Sequence, residues 1–217
     1  MKTKNKLIVI VGPHASGKSL LAVKLAKLFN GEVISADSRQ IYKHLNIGSG
    51  KITKNEMQNI PHHLISIASP RKTFNVTQYQ KLALKTIKKI WHKNKIPILC
   101  GGTGFYIKAV IDGIIFPPVK PNIKLRKQLQ QKSTQELYQL LKKINKKRAQ
   151  NIDKNNKVRL IRAIEITKTL GTIPPLKQKP LNANILMLGL QKNKKTLYQL
   201  AAQRLNKNFK NGLIKVK

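Results

Sequence analysis

Acidic side chains are what this sequence has least of. Against 44 Lys and Arg it carries 7 Asp and Glu, a formal charge of +37. The seven are Glu32, Asp37, Glu56, Asp112, Glu136, Asp153 and Glu165, so any general base or acidic metal ligand must come from that set. Cysteine is nearly absent. The single Cys100 excludes an internal disulfide framework and a cysteine-built zinc site, and its place at the end of an apolar run (IPILC) reads as a buried structural thiol. No apolar run reaches the roughly 20 residues needed to span a bilayer. The N-terminus begins with basic residues, but its apolar run (LIVIV) leads into a glycine-rich turn rather than a cleavage site. That argues against a signal peptide and for a cytoplasmic protein.

Hydrophobic residues make up 41% of the 217, enough for one cored domain, or one with an inserted lobe. The excess of positive charge has two readings. One is a polyanionic partner, nucleic acid first. The other is coding bias, because Lys, Asn and Ile are abundant along the whole chain and the lysines are not gathered in one arm.

The most informative stretch is Gly12-Pro13-His14-Ala15-Ser16-Gly17-Lys18-Ser19. It follows the apolar run Lys6 to Val11 and opens the amphipathic run Leu20 to Phe29, giving strand, turn and helix around G-x-x-x-x-G-K-[ST]. Gly12 and Gly17 let backbone N–H groups converge on an anion, and the helix adds its partial positive end. Lys18 would reach terminal phosphate oxygens, and the Ser19 hydroxyl could ligate Mg²⁺. Kinases, ATPases and transferases acting on other diphosphates all use such a cradle.

Glu32 to Ser35 reads as a second strand after a helix stop at Gly31, running into Asp37-Ser38-Arg39-Gln40. In a parallel α/β sheet ligands bind beyond the carboxyl ends of the strands. That rule puts Asp37 on the rim that holds the cradle and makes it the best-placed carboxylate, with a helix cap or turn aspartate as the plainer reading. Ile41 to Gln58 is loop-like. Pro61 to Ile67 (PHHLISI) suggests a strand with one histidine packed and one hydrogen-bonded near the rim. Asn75 to Lys93 has helical spacing, and Ile96 to Cys100 is a third buried strand. The latter runs into Gly101-Gly102-Thr103-Gly104, a second rim turn, and then an apolar helix through Ile111. After Pro117-Pro118, Lys120 to Arg148 is basic and helical, with a capping box at Ser133 to Glu136. Asn155 to Thr169 forms a further helix, Ile185 to Leu190 a strand, and Thr196 to Phe209 an amphipathic helix. The expected class is α/β, a P-loop NTPase-like parallel sheet flanked by helices with a small helical insertion lobe. The expected boundaries are 1–118 for the core, 119–152 for the insertion and 153–217 for the return to the core.

Several motifs in order, GPHASGKS (12–19), ISADSRQIYK (34–43), PHHLISI (61–67), GGTGFYIKA (101–109), RLIRAIE (159–165) and LGL…TLY (188–198), resemble the tRNA dimethylallyltransferase (tRNA isopentenyltransferase) family over nearly the whole chain. The resemblance implies transfer of a dimethylallyl group from dimethylallyl diphosphate to N6 of the adenosine next to the tRNA anticodon, with Mg²⁺. It implies Asp37 as general base, Thr103 as a catalytic partner, and Gly12, Pro13, His14, Ala15, Ser16, Gly17, Lys18 and Ser19 as the diphosphate or nucleotide site. It places Asp37, Ser38, Arg39, Gln40 and Thr103 against the tRNA, together with Arg126, Val158, Arg159, Leu160, Ile161 and Arg162. The helical lobe would grip the anticodon stem-loop, and the protein would be a monomer with no membrane contact.

Departures from the pattern are His14, where the family usually has Thr, and Lys154-Asn155-Asn156, where it usually reads Pro-Asn-Asp. Family members also usually continue beyond this point, so the chain is expected to lack a C-terminal segment. Three other readings compete: an adenine-nucleotide prenyltransferase, a P-loop kinase of small metabolites, and a non-catalytic RNA-binding remnant. The kinase reading expects an acid on a later strand, where this chain has the Gly101 to Gly104 turn.

Overall fold

The structure, a computed structural model, describes residues 5–210 and 212–214. The chain divides into two compact units, Met1–Ile114 with Lys179–Lys217, and Ile115–Gln178. In chain order the first unit contributes β1 (Lys6–Val11), α1 (Lys18–Leu28), β2 (Gly31–Ser35), α2 (Lys54–Met57), β3 (His62–His63), α3 (Val76–His92), β4 (Ile96–Cys100) and α4 (Gly104–Ile111). The short β5 (Ile114–Ile115) follows, and then the second unit supplies α5 (Ile123–Gln130), α6 (Thr134–Ile144), α7 (Lys146–Gln150), α8 (Lys157–Leu170) and β6 (Lys177–Gln178). The chain returns with β7 (Asn184–Gly189) and α9 (Lys194–Lys210).

Five strands form one sheet in the order β3-β2-β4-β1-β7, every pairing parallel. The central strands are buried on both faces, which is why they read as continuous apolar runs rather than alternating ones. Ile8, Ile10, Val33 and Ile98 pack against Ala22 and Ala26 of α1. Leu7, Val9, Ile34 and Leu99 face the other way, against Tyr79, Ala83 and Ile87 of α3 and Ile107 and Val110 of α4. Burying these side chains is worth about 25 cal/mol per Å² of apolar surface, so the three-layer packing is what holds the sheet. The register brings the strand ends together: Ile10 and Ser35 both pair with Cys100, and Val11 pairs with Gly189.

Several local expectations change. The strand expected over PHHLISI is only His62–His63, because Leu64 (φ 60°) and Ser66 (φ 55°) adopt left-handed conformations that end extended pairing. His62 lines a cavity at the rim and is hydrogen-bonded there, whereas His63 pairs with an acid on the second strand. His62 Nδ1 lies 2.8 Å from the Ile60 carbonyl, and His63 Nε2 lies 2.7 Å from Glu32 near the start of β2. Gly31 is the first residue of β2 rather than a helix stop; Asn30 (φ 48°) makes that turn. Within the loop expected over 41–58, α2 is capped by Thr53 and Glu56 in a reciprocal capping box.

The second unit is a bundle of α5 to α8 around Leu129, Leu137, Leu141, Ala149, Leu160, Ile161, Ala163 and Ile164. The return to the core therefore begins at Lys179 and not at 153. The apolar face of α8 is the reason, since it supplies four of those eight buried residues and packs on the preceding helices of its own unit. The capping box at Ser133 and Glu136 forms as expected.

Candidate active site

The glycine-rich turn joins β1 to α1 as its spacing requires. Ser16 is buried, 4% exposed, and its Oγ has no hydrogen-bond partner among the described residues. Gly12 sits where a Cβ would lie 2.7 Å from the Leu190 carbonyl and 3.1 Å from Ser16 Oγ, so the turn closes only without a side chain there. Lys18 Nζ folds back to donate to the Pro13 carbonyl. Burial lowers its pKa and the charge of Arg204 lowers it further, while Cys100 and Asp37 pull the other way. A crowded, partly desolvated ammonium of this kind gains most from an anion. Ser19 and His14 are exposed at the mouth of the turn.

The second part of the site is the turn after β2. Asp37 is 8% exposed. Its Oδ1 accepts from the backbone N–H groups of Arg39 (2.8 Å) and Gln40 (3.3 Å), so the carboxylate does close a turn. Among the described residues no donor is bonded to Oδ2. Thr103 Oγ1 accepts from Ser38 N–H at 3.0 Å and donates to Ser38 Oγ at 3.3 Å, while Thr103 N–H donates to the Ala36 carbonyl at 3.1 Å. These bonds lock the two rim turns together. Gly101 makes the approach possible: a Cβ there would fall 2.1 Å from the Ala36 oxygen. Behind the rim, Tyr79 donates its hydroxyl to the Ser35 carbonyl at 2.9 Å, and its ring stacks on Tyr106 at 4.1 Å.

Cradle and carboxylate open into one cavity of about 1000 Å³. Its lining includes Lys18, Asp37, Gln40 and Cys100, apolar Val33, Ile52, Met57 and Ile65, and Leu200, Arg204 and Lys207 of α9. Burial pushes the Cys100 thiol up to about 12, so it stays protonated and is no nucleophile. Glu56, the other acid on the cavity wall, is bonded to Thr53 N–H at 2.8 Å and to its hydroxyl at 3.0 Å. Among the polar residues of this lining, sequence reasoning did not single out Lys51 or Arg204. The Thr53-x-x-Glu56 spacing could have placed the loop that carries Lys51. No local pattern distinguishes Arg204 from the other cations of α9.

The candidates in the second unit are placed differently from one another. Val158 and Arg159 are exposed at the start of α8, whereas Leu160 and Ile161 are buried in the bundle. Arg126 makes a bidentate pair with Glu165 (Nε–Oε1 2.9 Å, Nη2–Oε2 2.7 Å). Arg162 also bonds Glu165, and donates to the Val119 carbonyl at 2.9 Å. Arg159 and Arg162 do not share one role: the first is exposed, the second is tied inside its unit.

Comparison with known proteins decides the family. The model of the IPP transferase family matches residues 40–215. This chain belongs to the IPP transferase family. It is 39% identical over 221 residues to a tRNA dimethylallyltransferase of Caldanaerobacter subterraneus, covering 96% of this chain and 70% of that protein. A Staphylococcus aureus tRNA dimethylallyltransferase is also 39% identical, over 99% of this chain and 72% of its own length. Among solved structures, the full-length tRNA isopentenylpyrophosphate transferase of Bacillus halodurans has 40% identity and a TM-score of 0.68, over 98% of this chain and 68% of that one. A eukaryotic dimethylallyltransferase captured acting on tRNA gives 27% identity and a TM-score of 0.80, over 97% of this chain and 54% of that one. The chain is accordingly a transferase of the tRNA dimethylallyltransferase family, and its parallel sheet is that family's. No helix among the described residues is long and apolar enough to cross a membrane.

Proposed function

We propose that this chain transfers a dimethylallyl group from dimethylallyl diphosphate to N6 of the adenosine 3′-adjacent to the anticodon of tRNA, with Asp37 as general base. The observation that carries the reading is the pairing, on one sheet rim and in one cavity, of a phosphate cradle with a buried carboxylate that keeps one oxygen unbonded. The exocyclic amine is a weak nucleophile because its lone pair is delocalised into the ring. As N6 attacks C1 of the donor, the C–O bond to the diphosphate breaks and the amine proton passes to Asp37 Oδ2. Arg39 and Gln40 N–H groups hold Oδ1, so the carboxylate keeps its aim while it takes the proton. Thr103 fixes the Asp37 turn through Ser38. The diphosphate leaves into the Gly12 to Ser19 cradle, where Lys18 and the backbone N–H groups stabilise its charge.

The unpartnered Ser16 hydroxyl and the turn at Gly12, which a Cβ would fill, suit an anion there. Ser19 is the residue to hold Mg²⁺, which when bound neutralises charge on the leaving diphosphate. Among the described residues no cluster of three His, Cys, Asp or Glu could hold a metal, so such an ion would draw its other ligands from diphosphate oxygens and water. The adenosine must leave its stack to reach the rim. The exposed Arg159 and the many lysines of the second unit suit RNA phosphates, and the exposed Val158 lies beside them. We place the protein in the cytoplasm as a monomer.

The test is transfer of labelled dimethylallyl diphosphate by the purified chain to an anticodon stem-loop, with AMP as a parallel acceptor. Label on the stem-loop alone is expected. Label on AMP instead would identify an adenine-nucleotide prenyltransferase, and stem-loop binding without label a non-catalytic RNA-binding protein.

A further inference from the structure

Tyr79 is a buried titratable group that the proposed reaction does not use, and it stands directly behind the Asp37 turn. It is fully buried in α3, and its hydroxyl donates to the Ser35 carbonyl at 2.9 Å. The sheet explains why that carbonyl takes a side-chain donor. Along a strand, successive residues turn their backbone N–H and C=O groups to opposite edges. Val33 N–H donates to the Pro61 carbonyl on the β3 side, and Ala36 N–H to the Cys100 carbonyl on the β4 side, so the Ser35 carbonyl faces β3. Yet β3 ends at His63, because Leu64 turns away at φ 60°. The Tyr79 hydroxyl replaces the strand donor at that place, and a buried carbonyl without one would be destabilising.

The turn is thereby held from both edges of β2. On the β4 side, Ala36 is bonded to Cys100 at 2.8 Å and to Thr103 at 3.1 Å, and Ser38 N–H to Thr103 Oγ1 at 3.0 Å. On the β3 side, Tyr79 holds Ser35, which precedes the carboxylate by two residues. The two anchors also back each other. The Tyr79 ring stacks on Tyr106 at 4.1 Å and 15°, and Tyr106 N–H donates to the Thr103 carbonyl at 2.9 Å. Burial first, then Tyr106, Cys100 and Asp37, push the Tyr79 hydroxyl well above its ordinary pKa. It stays protonated and remains a donor.

We infer that Tyr79 is a positioning residue for the transfer: its hydroxyl replaces the missing β3 donor at Ser35 and so fixes the direction in which Asp37 presents Oδ2 to the acceptor amine. A general base must lie within hydrogen-bond reach of the proton it takes. Misplacement by about 1 Å can cost about a hundredfold in rate. The inference rests on the reading of Asp37 as base.

The experiment measures single-turnover transfer from labelled dimethylallyl diphosphate to the anticodon stem-loop, and the affinity for each, in the wild type, Tyr79→Phe, Asp37→Asn and the double variant, with thermal melts. Tyr79→Phe removes one oxygen and keeps the ring stack. Its transfer rate should fall about tenfold, with both affinities within about twofold of wild type. Tyr106→Leu, which removes the stacking ring and leaves the hydroxyl, should lose about threefold in the same rate and tests the inference even if the phenylalanine variant does not fold. In the Asp37→Asn background, Tyr79→Phe should cost less than about twofold, because residues that act as a unit are not additive. A merely structural hydroxyl would lower the melting temperature and leave the rate of the folded protein unchanged, which overturns the inference. Equal losses with and without the Asp37 carboxylate also overturn it, since Tyr79 would then not act through the base. A wild type that transfers no label, or an Asp37→Asn variant as fast as wild type, overturns the base reading together with this inference. A slow Asp37→Asn variant beside an unimpaired Tyr79→Phe overturns this inference alone.

Discussion

Asp37 and Glu165 are both buried, at 8% and 0% exposure, yet their oxygens keep different company. Glu165 in the second unit accepts from Arg126 twice, from Arg162, and from the Asn122 N–H at 2.6 Å. Burial alone would raise its pKa, but the bonds from Arg126, Asn122 and Arg162 outweigh that and hold the carboxyl at about 2. It cannot take a proton near neutral pH and serves to join α5 to α8. Asp37 in the first unit receives two backbone N–H groups on one oxygen, with no donor bonded to the other among the described residues. Burial is shared between the two; what separates them is how many of their lone pairs are occupied, and on that difference rests the proposal of Asp37 as the base.

The largest expected effect breaks the reactive side. Asp37→Asn keeps an acceptor for the Arg39 and Gln40 N–H groups but removes the base. Transfer should fall about a thousandfold, within the range for losing general-base catalysis, while stem-loop affinity stays within about threefold. Equal losses of rate and binding would remove Asp37 from that role. Next, Lys18→Ala should weaken diphosphate binding by about tenfold or more, read by calorimetric titration; unchanged affinity would mean that the cradle is unused.

The structural side is tested by Glu165→Gln, which leaves two guanidinium groups around a neutral amide. Removing one partner of a buried pair costs about 3–5 kcal/mol. Because Arg126 and Arg162 remain about one-third exposed, at 35% and 34%, about 2 kcal/mol is expected from urea denaturation. A stabilised variant would show that the ion cluster is not what holds α5 to α8.

The smallest effect concerns Glu32, a second saturated carboxylate. Burial would raise its pKa, but bonds from His63, Lys95 and Lys93 win and hold it at about 2, below the ordinary 4.5. A depressed folded pKa gives stability that is full above 4.5 and lost as pH falls towards 2. The melting temperature should therefore drop across that window, and Glu32→Gln should flatten the drop while costing stability at neutral pH.

Much of the site was legible from residues 12–19, because a phosphate cradle is a local backbone shape written in local spacing. The position of Asp37 beside it followed from a rule about parallel sheets, and the structure brings both to one cavity. The strand over PHHLISI was drawn too long for a physical reason: Leu64 and Ser66 take left-handed φ values that nothing in the segment announces. The boundary at 153 was misplaced because the apolar face of α8 could cover either a sheet or a bundle, and its 3.6-residue period is the same in both cases.

By itself the sequence determined the local elements and the scarcity that singles out Asp37: strands from apolar runs, helices from caps such as Asn75 and Ser133, and a choice among seven acids. Tertiary structure decided the long-range cation partners of those acids. Glu32 meets His63 from 31 positions away, and Glu165 meets Arg126 from 39 positions away. It decided the bond from Arg204 to the Gly50 carbonyl as well, across 154 residues of the chain. Propensity and spacing act over a few residues, whereas the state of a carboxylate depends on every donor the fold brings within about 3 Å.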